Sequence, residues 1–298
     1  MAGDTSIEWT DKVWNPTRGC SRISPGCVNC YAERMAARFS GPGLWAEGFA
    51  KRTPAGPRWT GKVEALTGFD DTFDAPLRWQ KPSRIFVNST SDLFHEALSD
   101  EEIALVFAVM AQAPQHQFQV LTKRAERMHA LLTATSRTGG SEDFRCLVAD
   151  TLTLSHENAL EWPLPNVWLG VSVENQKYGD RRIPLLAGTP AAIRFLSCEP
   201  LLGPLDLSRY LKLVDWVIVG GESGPGARPF DVAWGRVLVE QCRHADVRCF
   251  VKQLGAHPMR GRGRNRAELN LESAKGGDPA EWPRGLDVRQ FPEARRVY

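Results

Sequence analysis

Short apolar runs rich in Val, Ile, Leu and Phe recur along the chain with helical stretches between them, and this alternation restricts the fold more than any other feature. The runs are Ile85 to Asn88, Phe118 to Thr122, Val167 to Val173, Ile193 to Ser197, Trp216 to Val219 and Arg248 to Lys252. Runs this continuously apolar suit strands covered on both faces, as in a parallel sheet. A further short strand is expected around Lys12 to Asn15, with helices over Asn29 to Phe39, Asp100 to Ala113 and Val232 to His244. Ser99 followed by Glu102 is a capping-box pattern that marks the start of the second helix. The alternation makes the chain an α/β protein built from βα units.

Nearly every run ends in a polar cluster. These read Asn88-Ser89-Thr90-Ser91-Asp92, Thr122-Lys123-Arg124, Ser172-Val173-Glu174-Asn175, Ser197-Cys198-Glu199, Gly220-Gly221-Glu222-Ser223 and Lys252-Gln253. In a (β/α) barrel such ends meet at one mouth, whereas in an open doubly wound sheet only those near the switch point do. Six polar ends favour a partial or complete (β/α) barrel of the TIM type. It is expected over residues 1–256, with the Gly-, Pro- and Trp-rich segment 41–82 inserted over the mouth and 257–298 as a C-terminal extension. Arg260, Arg262, Arg264 and Arg266 stand among glycines in that extension, which reads as mobile.

Length and composition agree with one large globular domain: 298 residues, 42% hydrophobic and 24% charged, exclude a disordered chain, a collagen and a coiled coil. With 37 basic against 35 acidic residues the net charge is only +2, so any polyanion must meet a local basic patch. No apolar run approaches the roughly 18 residues of a membrane span. The acidic start MAGDTSIEWTDK does not resemble a signal peptide, so a cytoplasmic protein without a membrane partner is expected. Seven cysteines are an odd number in a chain too large to need disulfide stapling, and read as thiols, ligands or buried apolar residues.

Cys20, Cys27 and Cys30 are crowded into the segment WNPTRGCSRISPGCVNCYAE, directly before a helix. Thiolates so close can serve only one metal centre. A structural zinc normally takes four protein ligands, and no histidine lies near to be the fourth. A [4Fe-4S] cluster on three thiolates keeps one iron open to a small-molecule ligand. Spacing alone leaves both readings standing.

These residues, together with FVNSTSDLFHE at 86 to 96, LTKRAERM at 121 to 128, VWLGVSVENQ at 167 to 176, RFLSCEPLLGPLDL at 194 to 207, DWVIVGGESGPGARPF at 215 to 230 and FVKQLG at 250 to 255, resemble the three-cysteine proteins encoded by phages and prophages. Those proteins are of unknown function and are themselves similar to radical S-adenosylmethionine enzymes. The resemblance implies a barrel of that kind, a [4Fe-4S] cluster on Cys20, Cys27 and Cys30, and S-adenosylmethionine on the open iron. The wider class spaces its cysteines C-x3-C-x2-C, so the first gap here is longer by three. Asn29 also stands where that class has an aromatic residue before its third cysteine, and Tyr31 is the candidate substitute.

The resemblance further implies cofactor-binding roles for Asn88, Ser89, Ser91 and Asp92 after the second strand, while the polar strand ends themselves make Glu174, Glu222, Ser223 and Lys252 further cofactor-binding candidates and Cys198, Glu199 and Lys123 catalytic candidates. Each has a plainer alternative. The 88–92 cluster suits a helix cap or Asx-turn, Gly220 to Ser223 a strand-to-helix turn, and Cys198, like Cys146, Cys242 and Cys249, ordinary packing. Lys123, Arg124, Lys252 and Gln253 could hold a phosphate or carboxylate. His95 reads as a satisfied core histidine rather than a base. The implied reaction releases a 5′-deoxyadenosyl radical with electrons from a flavodoxin or ferredoxin, on a nucleic-acid base or nucleotide. The competing classes are a non-enzymatic nucleic-acid-binding phage protein stabilised by a metal, and a zinc hydrolase using Glu199 or Glu222 as base.

Overall fold

The computed structural model describes residues 2–67, 72–134, 143–154, 160–261 and 263–293; Arg262 lies outside them. Its main sheet has eight strands: β1 (Ala2–Asp4), β2 (Lys12–Trp14), β3 (Arg84–Val87), β4 (Gln117–Thr122), β5 (Val167–Ser172), β6 (Ile193–Cys198), β7 (Trp216–Gly220) and β8 (Arg248–Gln253). They lie side by side in chain order. β1 runs antiparallel to β2, and the remaining neighbours are all parallel. The principal helices are α1 (Tyr31–Arg38), α2 (Asp100–Ala111), α3 (Ala125–Leu132), α4 (Phe144–Thr151), α5 (Gln176–Ala187) and α6 (Val232–His244).

Parallel strands in sequential order need crossovers that all turn the same way, which puts the helices on one face of the sheet. The packing shows this division. Val87, Val120, Leu169, Leu196, Val217 and Val251 belong to the large core that also takes in Ile103, Met128, Ile183 and Leu238 from the helices. The opposite face carries a separate aromatic cluster of Trp9, Phe86, Trp168, Phe195, Trp216 and Phe250. Every residue of β5 is buried because it is covered from both sides. Gly170 is required there, since a Cβ would stand 2.4 Å from the Phe195 ring. Ser99 accepts from the Glu102 amide and the Glu102 carboxylate accepts from the Ser99 amide, completing the expected capping box.

No ladder joins β8 back to β1 among the described residues, so the complete barrel is not formed and the sheet stays open. The extension is also not the free tail that its glycines suggest. Val251 donates to the Val288 carbonyl and Gln290 to the Cys249 carbonyl, which covers the outer edge of β8. Trp216 Nε1 donates to the Gln290 carbonyl at 2.8 Å, and Phe291 packs on Trp216 and Phe250. Apolar residues spaced beyond the arginines anchor the segment, burying an edge that would otherwise invite pairing. Within 41–82, a hairpin of Ala50–Thr53 and Gly56–Trp59 packs on α1, while Glu64–Ala65 pairs with Thr17–Arg18.

Candidate functional site

Along the face away from the helices, side chains shrink and turn polar toward the strand ends. Trp168 is followed on that face by Gly170 and Ser172, Phe195 by Ser197, Ile218 by Gly220, and Phe250 by Lys252. The aromatic cluster fills one end and leaves a recess at the other. The cysteine segment lies over that recess and is tied to the ends of successive strands. Ser21 Oγ accepts from Arg124 Nη2 at 2.7 Å after β4, and Ser24 donates to Glu174 after β5. Asn29 Nδ2 donates to Glu222 Oε2 at 2.9 Å after β7, and Tyr31 donates to the Ser89 carbonyl after β3.

All seven cysteines are free thiols. Burial pushes the Cys20 thiol up to about 12, with Asp92, Cys30 and Cys27 adding to the rise and Arg124 opposing it. Burial raises Cys30 as well, against the pull of Lys123. The three thiols therefore lie within electrostatic range of one another, although no three His, Cys, Asp or Glu among the described residues are placed to hold a single metal ion. Cys20, Cys30 and Tyr31 keep accessible surface although burial dominates their ionisation.

Most of the expected strand-end carboxylates are already committed. Asp92 accepts from Thr122 Oγ1 at 2.6 Å, from the Lys123 and Phe94 amides at 3.1 Å each, and from Arg124 Nη1 at 3.2 Å. Arg124 also reaches Glu96 at 2.8 Å and stands 3.8 Å from the Cys20 sulfur, so Asp92 acts on the cysteine segment through it. Glu174 is fully buried against Arg182 at 2.8 Å, and Gly26 passes so close that a Cβ there would sit 2.5 Å from its Oε1. Burial would raise Glu222, but Arg228 at 2.6 Å and Asn29 hold it below the usual carboxylate range. Arg228 continues to the Pro25 carbonyl at 3.0 Å. Ser223 contributes its carbonyl to Arg34 at 3.4 Å. Ser89 donates to Asn15 at 3.1 Å, and Ser91 shares a 2.8 Å bond with Thr17.

His95 is the satisfied core residue expected. Its Nδ1 accepts from the Ala97 amide, its Nε2 faces Ser21 Oγ at 2.9 Å, and burial followed by Arg124 holds its pKa below the ordinary imidazole value. Cys198 is corrected: one position beyond Ser197, it points into the helix layer beside Cys242, fully buried, and burial then Cys242 drive its thiol well above the ordinary value. It cannot reach the recess.

The neighbouring Glu199 behaves differently. Its Oε1 lies 3.8 Å from Lys252 Nζ and has no hydrogen-bond partner among the described residues. Burial raises its pKa, partly offset by Lys252. Asn88, buried at the end of β3 with φ 61°, likewise finds no partner there for either amide atom. Lys123 Nζ donates to Ser172 Oγ at 3.1 Å. A carboxyl raised in the folded protein contributes most below the ordinary carboxyl range and loses that contribution as pH rises through its folded pKa. Glu199→Gln should therefore melt above the parent by a margin that widens from about pH 5 to pH 8. A constant margin in thermal melts across that range would show that Glu199 ionises normally.

Residues 4–279 match the model of the family described as Protein of unknown function (DUF5131). The chain belongs to that family. No curated protein and no solved structure matches it. The matched span takes in the cysteine segment and the strands of the main sheet from Asp4 onward. No helix among the described residues is long and apolar enough to cross a membrane.

Proposed function

We propose that this protein is a radical S-adenosylmethionine-type enzyme on a partial (β/α) barrel, acting on a nucleic-acid base or nucleotide. The observation that carries the reading is a set of three free thiols within electrostatic range of one another on a segment tied to successive strand ends, together with a buried Asn88 amide whose polar atoms have no partner among the described residues. Soft thiolates are the donors an iron–sulfur cluster takes, and three of them on one short segment leave one iron of a cubane open to a small-molecule ligand. Cys20, Cys27 and Cys30 would hold a [4Fe-4S] cluster. When bound, it would pass an electron from a flavodoxin or ferredoxin to S-adenosylmethionine, splitting the sulfonium into methionine and a 5′-deoxyadenosyl radical.

The chain's own groups then have distinct tasks. Arg124 and Lys123 place positive charge beside thiols that burial keeps protonated, so loading releases protons and is favoured by rising pH. Glu174, Arg182, Glu222 and Arg228 fix the cysteine segment as positioning residues. Asn88 offers a donor and an acceptor to the methionine end of the cofactor. Tyr31 presents a ring next to Cys30, and Glu199 with Lys252 offers an acceptor and a cation to a polar ligand.

Asn88→Gly tests the cofactor site cleanly, because glycine keeps the left-handed backbone while removing the amide. S-adenosylmethionine binding to the iron-loaded protein should weaken about 5- to 150-fold, the equivalent of roughly 1–3 kcal/mol for a buried hydrogen-bonding group. Unchanged affinity by calorimetry would remove Asn88 from the site.

A further inference from the structure

We propose that the inserted hairpin of Ala50–Thr53 and Gly56–Trp59 is a docking surface for the phosphodiester backbone of a nucleic-acid strand. The inference deepens the reading above by locating a polymer on the molecule. Residues 31–66 hold six cations, Arg34, Arg38, Lys51, Arg52, Arg58 and Lys62, against three carboxylates. This lobe is thus more positive than the whole chain, whose net charge is +2. Its carboxylates are all taken: Glu33 by Arg22 from outside the lobe, Glu64 by Lys62 at 3.2 Å, and Glu47 by the Gly43 amide at 2.6 Å. Arg38, Lys51, Arg52 and Arg58 are left with no carboxylate partner among the described residues. Other arginines of the surface pair readily, as Arg84 does with Asp11, Arg127 with Asp100 and Arg243 with Glu240.

The register sharpens the point. Lys51 stands directly opposite Arg58 across the hairpin, so two like charges share one face, an arrangement that destabilises a two-stranded ribbon. An anion laid across both relieves the repulsion. The patch is also joined to the recess: Arg22 reaches the Pro57 carbonyl at 3.3 Å, the Trp59 amide donates to Glu33 at 2.8 Å, and Arg52 Nε donates to the Ala37 carbonyl at 3.3 Å. A strand held by its phosphates on the hairpin can offer a base to the recess, as chemistry on a base requires it out of its stack.

The test is fluorescence anisotropy with a labelled single-stranded oligonucleotide, its duplex, and vesicles of anionic phospholipid, over a range of salt. Nucleic-acid binding should weaken steeply with salt, with a logarithmic slope of about −2 to −3.5 for three to five phosphates. Lys51→Glu should lower affinity about tenfold or more and flatten that slope, while its melting temperature holds or rises because the new carboxylate faces Arg58. Replacing Arg260, Arg264 and Arg266 with Gln should leave binding intact. Oligonucleotide affinity unchanged by Lys51→Glu, or binding confined to the vesicles, would overturn the proposal. Binding is read without S-adenosylmethionine, so oligonucleotide capture by a protein that makes no 5′-deoxyadenosine would sink the radical chemistry and leave the docking surface standing.

Discussion

Replacing Cys20, Cys27 or Cys30 singly with Ala will abolish stable iron loading, whereas replacing Cys146, Cys198, Cys242 or Cys249 with Ser or Ala will leave it in place. The distinction follows from position. Cys20, Cys27 and Cys30 sit on one segment over the recess, each within electrostatic range of the others, while Cys198, Cys242 and Cys249 fill the layer between sheet and helices. A cubane on three thiolates has no spare protein ligand, so loss of any one is not a graded effect. Iron analysis after anaerobic reconstitution, with circular dichroism to confirm folding, decides the matter. Iron retained by all three single variants would mean that the ligands are other residues.

Arg182→Ala will be the most destabilising single change outside the apolar core. It leaves Glu174, fully buried, without its countercharge, and breaking such a pair from one side amounts to about 3–5 kcal/mol. In a chain of this size that lowers the melting temperature by about 5 to 8 °C. Because Glu174 also accepts from Ser24, the cysteine segment should loosen with it and iron should be lost on dilution. The adjacent Arg181→Ala breaks only an exposed pair with Glu126 and should shift stability by less than about 1 kcal/mol. Equal effects from the two substitutions would show that the buried pair does not hold the segment.

Much of this architecture could be read from residue order. Continuous apolar runs marked β3 to β8 to within a residue or two, and the Ser99 and Glu102 pattern marked the start of α2. Helices α3, α4 and α5 were less visible, since their apolar faces are short and Pro184 interrupts the last. The site was half legible. Polar strand ends pointed to one rim, but a strand end does not say whether its carboxylate is free. Glu222 meets Asn29 across 193 positions and Glu174 meets Ser24 across 150, so their roles as tethers exist only in the folded chain. The orientation of Cys198 depended on the parity of one residue, and the docking of 257–293 on apolar side chains lying past a misleading run of Gly and Arg.

The proposed function requires the cysteine segment to carry a redox cluster over an S-adenosylmethionine site. Reconstituting the protein anaerobically with iron and sulfide, reducing it with dithionite and measuring 5′-deoxyadenosine tests that requirement most directly. The account predicts a brown protein with about four irons per chain that forms 5′-deoxyadenosine from S-adenosylmethionine and loses this activity in Cys27→Ala. A colourless protein that purifies with stoichiometric zinc, or an iron-loaded one that forms no 5′-deoxyadenosine, would contradict it.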